Sequence, residues 1–237
     1  MTDRPAHDAA RFPVFPFWRL DGFHKRRVIP ELLDALPPDD PAAMRAREEM
    51  LLVNAVMGNH RWLARMMRLH ARPDWRVIEL GAGDGALSLS LLQAGLCQPE
   101  NLHGADLAPR PAAWPALSAW TQGDLLAQPL PEGEVLLANL FLHHFEDDRL
   151  RELGARLPAS ARLILAAEPE RRRRHALLGR LLCGIAELHP VQHYDMQVSI
   201  RAGFRGDELP RALGLGAEWQ VRTWGTLFGS YRMIAWR

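Results

Sequence analysis

The chain has 237 residues, enough for one large domain or a core with a small addition, and 48% of them are hydrophobic, enough to build a sizeable core. The formal net charge of +1 gives no electrostatic case for nucleic acid or an anionic membrane as partner. Lys25 is the only lysine, so arginine carries almost all the positive charge, a bias that reads as genomic.

Cys97 and Cys183 stand far apart without a CxxC partner, which argues against a disulfide framework or a zinc site, and no metal is expected. The opening "MTDRPAHDAARFP" lacks the apolar core of a signal peptide, and no apolar run approaches the roughly 18 residues of a membrane span. A cytoplasmic enzyme is the expectation.

Residues 1–40 are proline-punctuated. The aromatic stretch "FPVFPFWRLDGF" at 12–23 holds Phe12, Phe15, Phe17, Trp18 and Phe23. So many large apolar side chains are expected either to close over a substrate or to staple the helices that follow. Asp40 and Pro41 read as an N-cap and first helical residue. A helix is expected over 41–57, with Met44, Leu51 and Val53 among its apolar positions. Gly58 and Asn59 read as a stop and a new cap, before a second helix to about residue 70.

Beyond Asp74 the pattern changes. "RVIEL" (76–80), "NLHGAD" (101–106), "AWTQGD" (119–124), "EVLLANLF" (134–141) and "ARLILAAE" (161–168) alternate with helical stretches, predicting a parallel sheet covered by helices. "WQVRTW" (219–224) and "YRMIAWR" (231–237) read as a closing strand pair around Gly225 and Gly229. Residues 1–70 are thus an N-terminal segment and helical cap. Residues 71–237 are the core, with an irregular, substrate-facing insertion expected around 184–206.

The first strand runs into Gly81, Gly83 and Gly85. Glycines at a strand-to-helix turn let a ligand approach the backbone and the amides of a helix N-terminus. The loop loosely fits the dinucleotide fingerprint through Gly81, Gly83 and Ala86, and Asp106 serves either a dinucleotide or another nucleoside. A Tyr-x-x-x-Lys dehydrogenase dyad is impossible, because the tyrosines are Tyr194 and Tyr231 and the lysine is Lys25.

Taken in order, Glu79 to Gly85, Asp106, Gly123 with Asp124, and the segment Asn139 to Phe145 make residues 75–168 resemble the core of the class I S-adenosylmethionine (SAM) methyltransferases, and "FLHHFED" is most similar to the small-molecule branch. The resemblance implies an α/β fold: a doubly wound, seven-stranded Rossmann-like sheet with an antiparallel final strand. It implies that Gly81, Gly83 and Gly85 line the methionine portion of SAM and that Glu79 orients the loop and the SAM amino group. Asp106 would accept both ribose hydroxyls, and Asp124 the adenine amino group with Leu125 on the ring. The backbone at Asn139 and Leu140 would flank the methionine carboxylate and sulfonium.

The expected reaction is methyl transfer to a small, apolar or aromatic molecule, with oxygen favoured over carbon or nitrogen. His143 or His144 is the candidate base, and Phe17, Trp18, His193 and Tyr194 are candidate substrate contacts. Asn139 lacks the Pro-Pro-aromatic continuation of base N-methyltransferases. The four arginines at 171–174 are expected to be an exposed helix face, not an RNA site. Glu146, Asp147 and Asp148 suit a helix N-terminus. Two other readings stand beside this one: a SAM-binding interaction protein without catalysis, and an NAD(P)-dependent oxidoreductase.

Overall fold

The computed structural model describes residues 23–37 and 39–237. Phe12, Phe15, Phe17 and Trp18 lie outside the described residues.

Seven strands form one sheet: β1 (Val77–Leu80), β2 (Leu102–Asp106), β3 (Ala119–Gln122), β4 (Val135–Asn139), β5 (Leu163–Pro169), β6 (Gln220–Gly225) and β7 (Ser230–Trp236). Their order is β3-β2-β1-β4-β5-β7-β6. The first five are parallel, and β7 runs antiparallel to both β5 and β6. Seven strands with an antiparallel β7 is the expected doubly wound architecture.

The central strands β1, β4 and β5 are buried on both faces, as parallel strands must be when helices carry their crossovers, while the edge strands β3 and β6 are partly exposed. Alternation sorts the strand residues. Ile78, Leu80, Leu136, Ala138 and Ile164 face one side, where α5 (Asp147–Ala155) and α8 (Glu208–Ala212) add Leu150, Leu153 and Leu209. Val77, Leu137, Leu163 and Leu165 face the other, against Trp62, Leu63 and Met67 of α3 (Asn59–His70) and Leu87 and Leu91 of α4 (Ala86–Gln93).

Four further helices are α1 (Leu32–Ala35), α2 (Pro41–Met57), α6 (Arg173–Ile185) and α7 (Pro190–Ala202). The last three share an apolar cluster of their own. Phe23 is buried in it with Val53, Ala176, Cys183, Met196 and Ile200. Asp40 caps α2 as expected, accepting from the Ala42 amide at 2.8 Å. Gly58 ends α2 in the left-handed conformation. Val53 is buried, but Met44 and Leu51 are 54% and 47% exposed, so the burying stripe of α2 runs elsewhere.

Three expectations are corrected here. Asn59 is not a cap; Gly58 holds that position, and the Asn59 side chain is buried in a polar network. Residues 190–202, expected to be irregular, form α7, because His189 caps Val191 and Pro190 occupies the first helical position. The arginine run is not one solvated face. Arg171 precedes α6 and is 1% exposed. It donates to the Glu208 carboxylate at 2.9 and 2.6 Å, to the Gly203 carbonyl and to the Phe23 carbonyl. Arg172 and Arg174 pair with the buried Glu170.

Candidate functional site

All five parallel strands end on the same edge. Strand order reverses between β1 and β4, and in such sheets a crevice opens beyond the carboxyl ends at that switch point. The loop after β1 and the turn after β4 flank it.

The three glycines of the loop do three different things. All have positive φ, at 67°, 54° and 77°. A Cβ on Gly81 would lie 2.1 Å from the Phe141 ring, so this glycine admits an aromatic side chain from the turn after β4. A Cβ on Gly85 would lie 2.8 Å from Trp114, so this one seats the tryptophan under the N-terminus of α4. A Cβ on Gly83 would meet nothing within 4 Å. Gly83 is the open position of the loop, where a ligand can meet the backbone.

Glu79 is buried beneath the loop and accepts from the Ser88 hydroxyl of α4, tying strand to helix. Burial pushes its pKa up to about 8 against that hydrogen bond. Asp106 ends β2 beside the loop: one oxygen accepts from the Gly83 amide at 2.8 Å, the other from the Ala108 amide at 2.7 Å. Each oxygen keeps a second lone pair, so the carboxylate can still accept from a diol.

Leu107, next in the chain, is 73% exposed. It is an apolar surface at this edge that the sequence reading missed; its signal was its place directly after Asp106. Leu125 instead lies in the core with Leu80 and Leu142. Asp124 is half-exposed; it holds the Leu126 amide at 2.9 Å and meets Arg149 at 3.3 Å.

At the end of β4, Leu140 takes a left-handed φ of 52°, unusual for a branched residue, and its amide donates to the Ala167 carbonyl at 2.8 Å. That twist turns the chain into the 3-10 turn Leu142–His144. Glu168 of β5 then caps the turn, accepting from the amides of Phe141, Leu142 and His143 at 3.1, 2.9 and 3.4 Å.

The same carboxylate takes the His143 ring at Nδ1, 2.7 Å away. On the other side Nε2 faces Glu31 at 3.4 Å. Burial opposes charge on His143, but these two carboxylates overcome it and hold its pKa up at about 9. Glu31 in turn is held below the usual carboxylate range, burial notwithstanding, by His143, His144 and Ser199. His144 is partly exposed and meets Asp34 at 3.3 Å.

Glu31 arrives on the strap 23–36, which the structure fastens over this end of the sheet. Arg26 donates to the carbonyls of His143, Phe145 and Ala202 and pairs with Asp147. Asp195 of α7 accepts from the Leu32 and Leu33 amides at 2.7 and 3.1 Å. Burial and the nearby Glu31 raise its pKa to about 7 despite those amides. His193 and Tyr194 are half-buried on α7; of that helix, Ser199 donates to Glu31, the partner of the histidines, and Asp195 holds the Leu32 and Leu33 amides.

Glu31, Glu168 and Ser199 were missed in the sequence. Glu168 alone left a signal, an acid closing a wholly apolar strand. Glu31, His143 and His144 each offer an atom within 4.8 Å of the others, a spacing a metal ion can bridge; their mutual pairing already satisfies them.

With the geometry in place, comparison with known proteins identifies the fold. No family model matches the chain, and no curated protein matches it in sequence. Among solved structures, human N-acetylserotonin methyltransferase in complex with SAM aligns at a TM-score of 0.57 and 19% identity, over 86% of this chain and 61% of that one. The chain therefore spans about three fifths of the human enzyme. The plantazolicin methyltransferase BpumL, in complex with a triazolic desmethylPZN analogue and SAH, aligns at 0.63 and 11% identity, over 86% and 93%. The pyocyanin biosynthetic protein PhzM aligns at 0.53 and 17%, over 84% and 59%. The chain has the class I SAM-dependent methyltransferase fold. No helix among the described residues is long and apolar enough to cross a membrane.

Proposed function

We propose that this protein is a SAM-dependent methyltransferase of a small molecule, and that the acceptor atom is oxygen. The observation that carries the reading is the buried His143–Glu168 pair, 2.7 Å apart, set across the sheet's switch point from Asp106 and from Gly83, whose Cα faces open space. An imidazole held at Nδ1 by a carboxylate is oriented to work through Nε2, the arrangement of a general base.

The residues fit the cofactor. Gly83 leaves the backbone open, Asp106 has lone pairs for a ribose diol, and Leu107 offers an apolar face beside them. Asp124 stands one strand further on, within the same edge, for the adenine amino group. Bound SAM supplies an electrophilic sulfonium methyl. The chain's own contribution is chiefly positioning, which holds the acceptor in line with that methyl.

His143 Nε2 takes the acceptor's proton. In the structure Glu31 occupies that nitrogen, at a distance looser than the Glu168 contact. An acceptor hydroxyl takes the place of Glu31, and losing that carboxylate lowers the imidazole pKa toward neutrality, where a base is most effective. His144 and the strap enclose the same end. Phe17, Trp18, His193 and Tyr194 remain candidates for holding the apolar body of the acceptor, which suits a water-excluding, mostly apolar pocket.

The test is calorimetry with SAM, SAH and NADH, followed by transfer of labelled methyl to a panel of phenols. SAM and SAH binding, with transfer lost in His143→Gln, is the expected result. NADH binding without SAM binding would establish the oxidoreductase reading. SAM binding with no transfer to any acceptor would favour the interaction-protein reading. A small soluble acceptor, not nucleic acid or membrane, is the partner this reading requires.

A further inference from the structure

Helix α6 is apolar on both of its faces. The inner face is committed to α7: Gln197 Nε2 donates to the Ala176 carbonyl at 3.2 Å, and a Cβ on Gly179 would lie 2.6 Å from the Met196 sulfur. The outer face is a stripe of Leu177, Leu178, Leu181 and Ile185, which are 50%, 45%, 59% and 74% exposed. Their spacing is that of one helix side, and the remaining exposed position between Leu177 and Ile185 is Gly184. An outward helix face ordinarily carries charged and polar residues, and no exposed residue of this stretch is either.

Helix α2 stands beside it. The two helices share one apolar cluster through Val53 and Cys183, and Arg45 and Glu49 tie α2 to the end of α6, at the Glu187 carbonyl and the His189 amide. Leu51 and Leu52 of α2 are 47% and 40% exposed. These six aliphatic side chains leave on the order of 500 Å² of apolar surface open, the upper range for a monomer. Buried on both copies of a two-fold contact, such a face gives on the order of 1,000 Å², the level at which a specific interface begins.

We propose that this face is the interface of a homodimer, in which α6 packs antiparallel to the α6 of a second copy about a two-fold axis between Leu178 and Leu181. The charges favour that pairing. Arg173 and Arg174, the second also paired with Glu170, are exposed in the first turn of α6, and no acidic residue accompanies them in that turn. Cations are the wrong sign for the positive end of a helix dipole, and they suit its negative end. A helix of 13 residues is about 20 Å long, so an antiparallel copy brings its C-terminal end, at Ile185, beside these arginines. A membrane surface is a poorer match, because its anionic headgroups ask for basic residues along the apolar stripe, and here they stand at one end. The interface backs the anchor of the strap, since α7, packed on α6, carries the Ser199 hydroxyl that donates to Glu31. The dimer does not depend on the reaction proposed above.

Sedimentation of the full chain across a micromolar concentration series tests this. The wild type is expected at twice the chain mass. Leu181→Glu is expected to sediment as a folded monomer, with self-association weakened at least 100-fold, because two-fold symmetry counts the change twice. Leu117→Glu, which alters an exposed leucine between β2 and β3, is expected to stay dimeric. If Leu181→Glu does not fold, Ile185→Glu, at the most exposed position of the stripe, carries the same test. A wild type that is monomeric throughout overturns the inference, as does a dimer that survives both substitutions. A monomer that dimerises only once residues 1–22 are deleted overturns it in favour of that segment as the occupant. A monomer that binds anionic phospholipid vesicles, and loses that binding in Leu181→Glu, overturns it in favour of a membrane surface.

Discussion

His143 Nδ1 lies 2.7 Å from the Glu168 carboxylate, and both residues are buried, 3% and 0% exposed. Glu168 also caps the turn that carries His143, so one side chain fixes both the ring and its backbone. Glu168→Gln keeps an accepting oxygen for the turn but sets an amide against Nδ1. Methyl transfer is expected to fall at least about 100-fold, the usual scale of a general-base contribution, with SAM affinity unchanged. Steady-state kinetics beside calorimetry checks this; a matching loss of SAM affinity would place the pair in the cofactor site instead.

The same pair makes stability depend on pH. The folded pKa of His143, about 9, lies above its ordinary 6.5. Its contribution is fully present below 6.5 and is lost as pH rises through 9, up to about 3 kcal/mol. Asp195 and Glu79, raised to about 7 and 8, also lose stability as pH rises, but only up to those values. Between pH 8 and 9 His143 still titrates, beside the buried thiols of Cys97 and Cys183, whose pKa values burial pushes up to about 11 and 12. Thermal melting in that window is expected to fall more steeply for the wild type than for His143→Gln.

Asp106→Ala removes the carboxylate that closes the loop beside Gly83. SAM affinity is expected to drop by about 1.5–3 kcal/mol, the range for hydrogen bonds to a charged group. Calorimetry on the folded variant decides it, and unchanged affinity would count against the assigned ribose contact.

The loop glycines separate stability from binding. Gly85→Ala meets the Trp114 ring in a left-handed backbone, so melting temperature falls. Gly83→Ala meets nothing and carries only the left-handed penalty of about 1–2 kcal/mol. Its larger effect is expected on SAM binding. Paired melting and titration curves for the two variants test the distinction.

Arg171 and Arg173 divide the arginine run. Arg171→Gln takes the buried donor from the Phe23 and Gly203 carbonyls and from a partly exposed Glu208, and is expected to cost about 1–3 kcal/mol in denaturant unfolding. Arg173→Gln, at the first turn of α6, changes stability by less than about 0.5 kcal/mol. Neither the wild type nor Arg173→Gln is expected to bind RNA in a salt-sensitive way.

Periodicity and turn chemistry made most of the fold legible. The buried run of β5, the Asp40 cap, the Gly58 stop and the glycine loop are local patterns, and each depends on residues a few positions apart. That is why the strands, their parallel class and the Asp106 edge could be read directly, and why His143 and His144 could be singled out. Tertiary structure decided what separated segments do to one another. Glu31 stands 112 positions from the histidine it meets, and Asn54 stands 85 from the Asn139 amide it accepts from. Arg171 looked like any exposed arginine until the Glu208 carboxylate and the Phe23 carbonyl closed around it. Local sequence specifies backbone conformation through sterics and capping. A buried polar group finds its partner only once the chain has folded, because that partner is fixed by proximity in space.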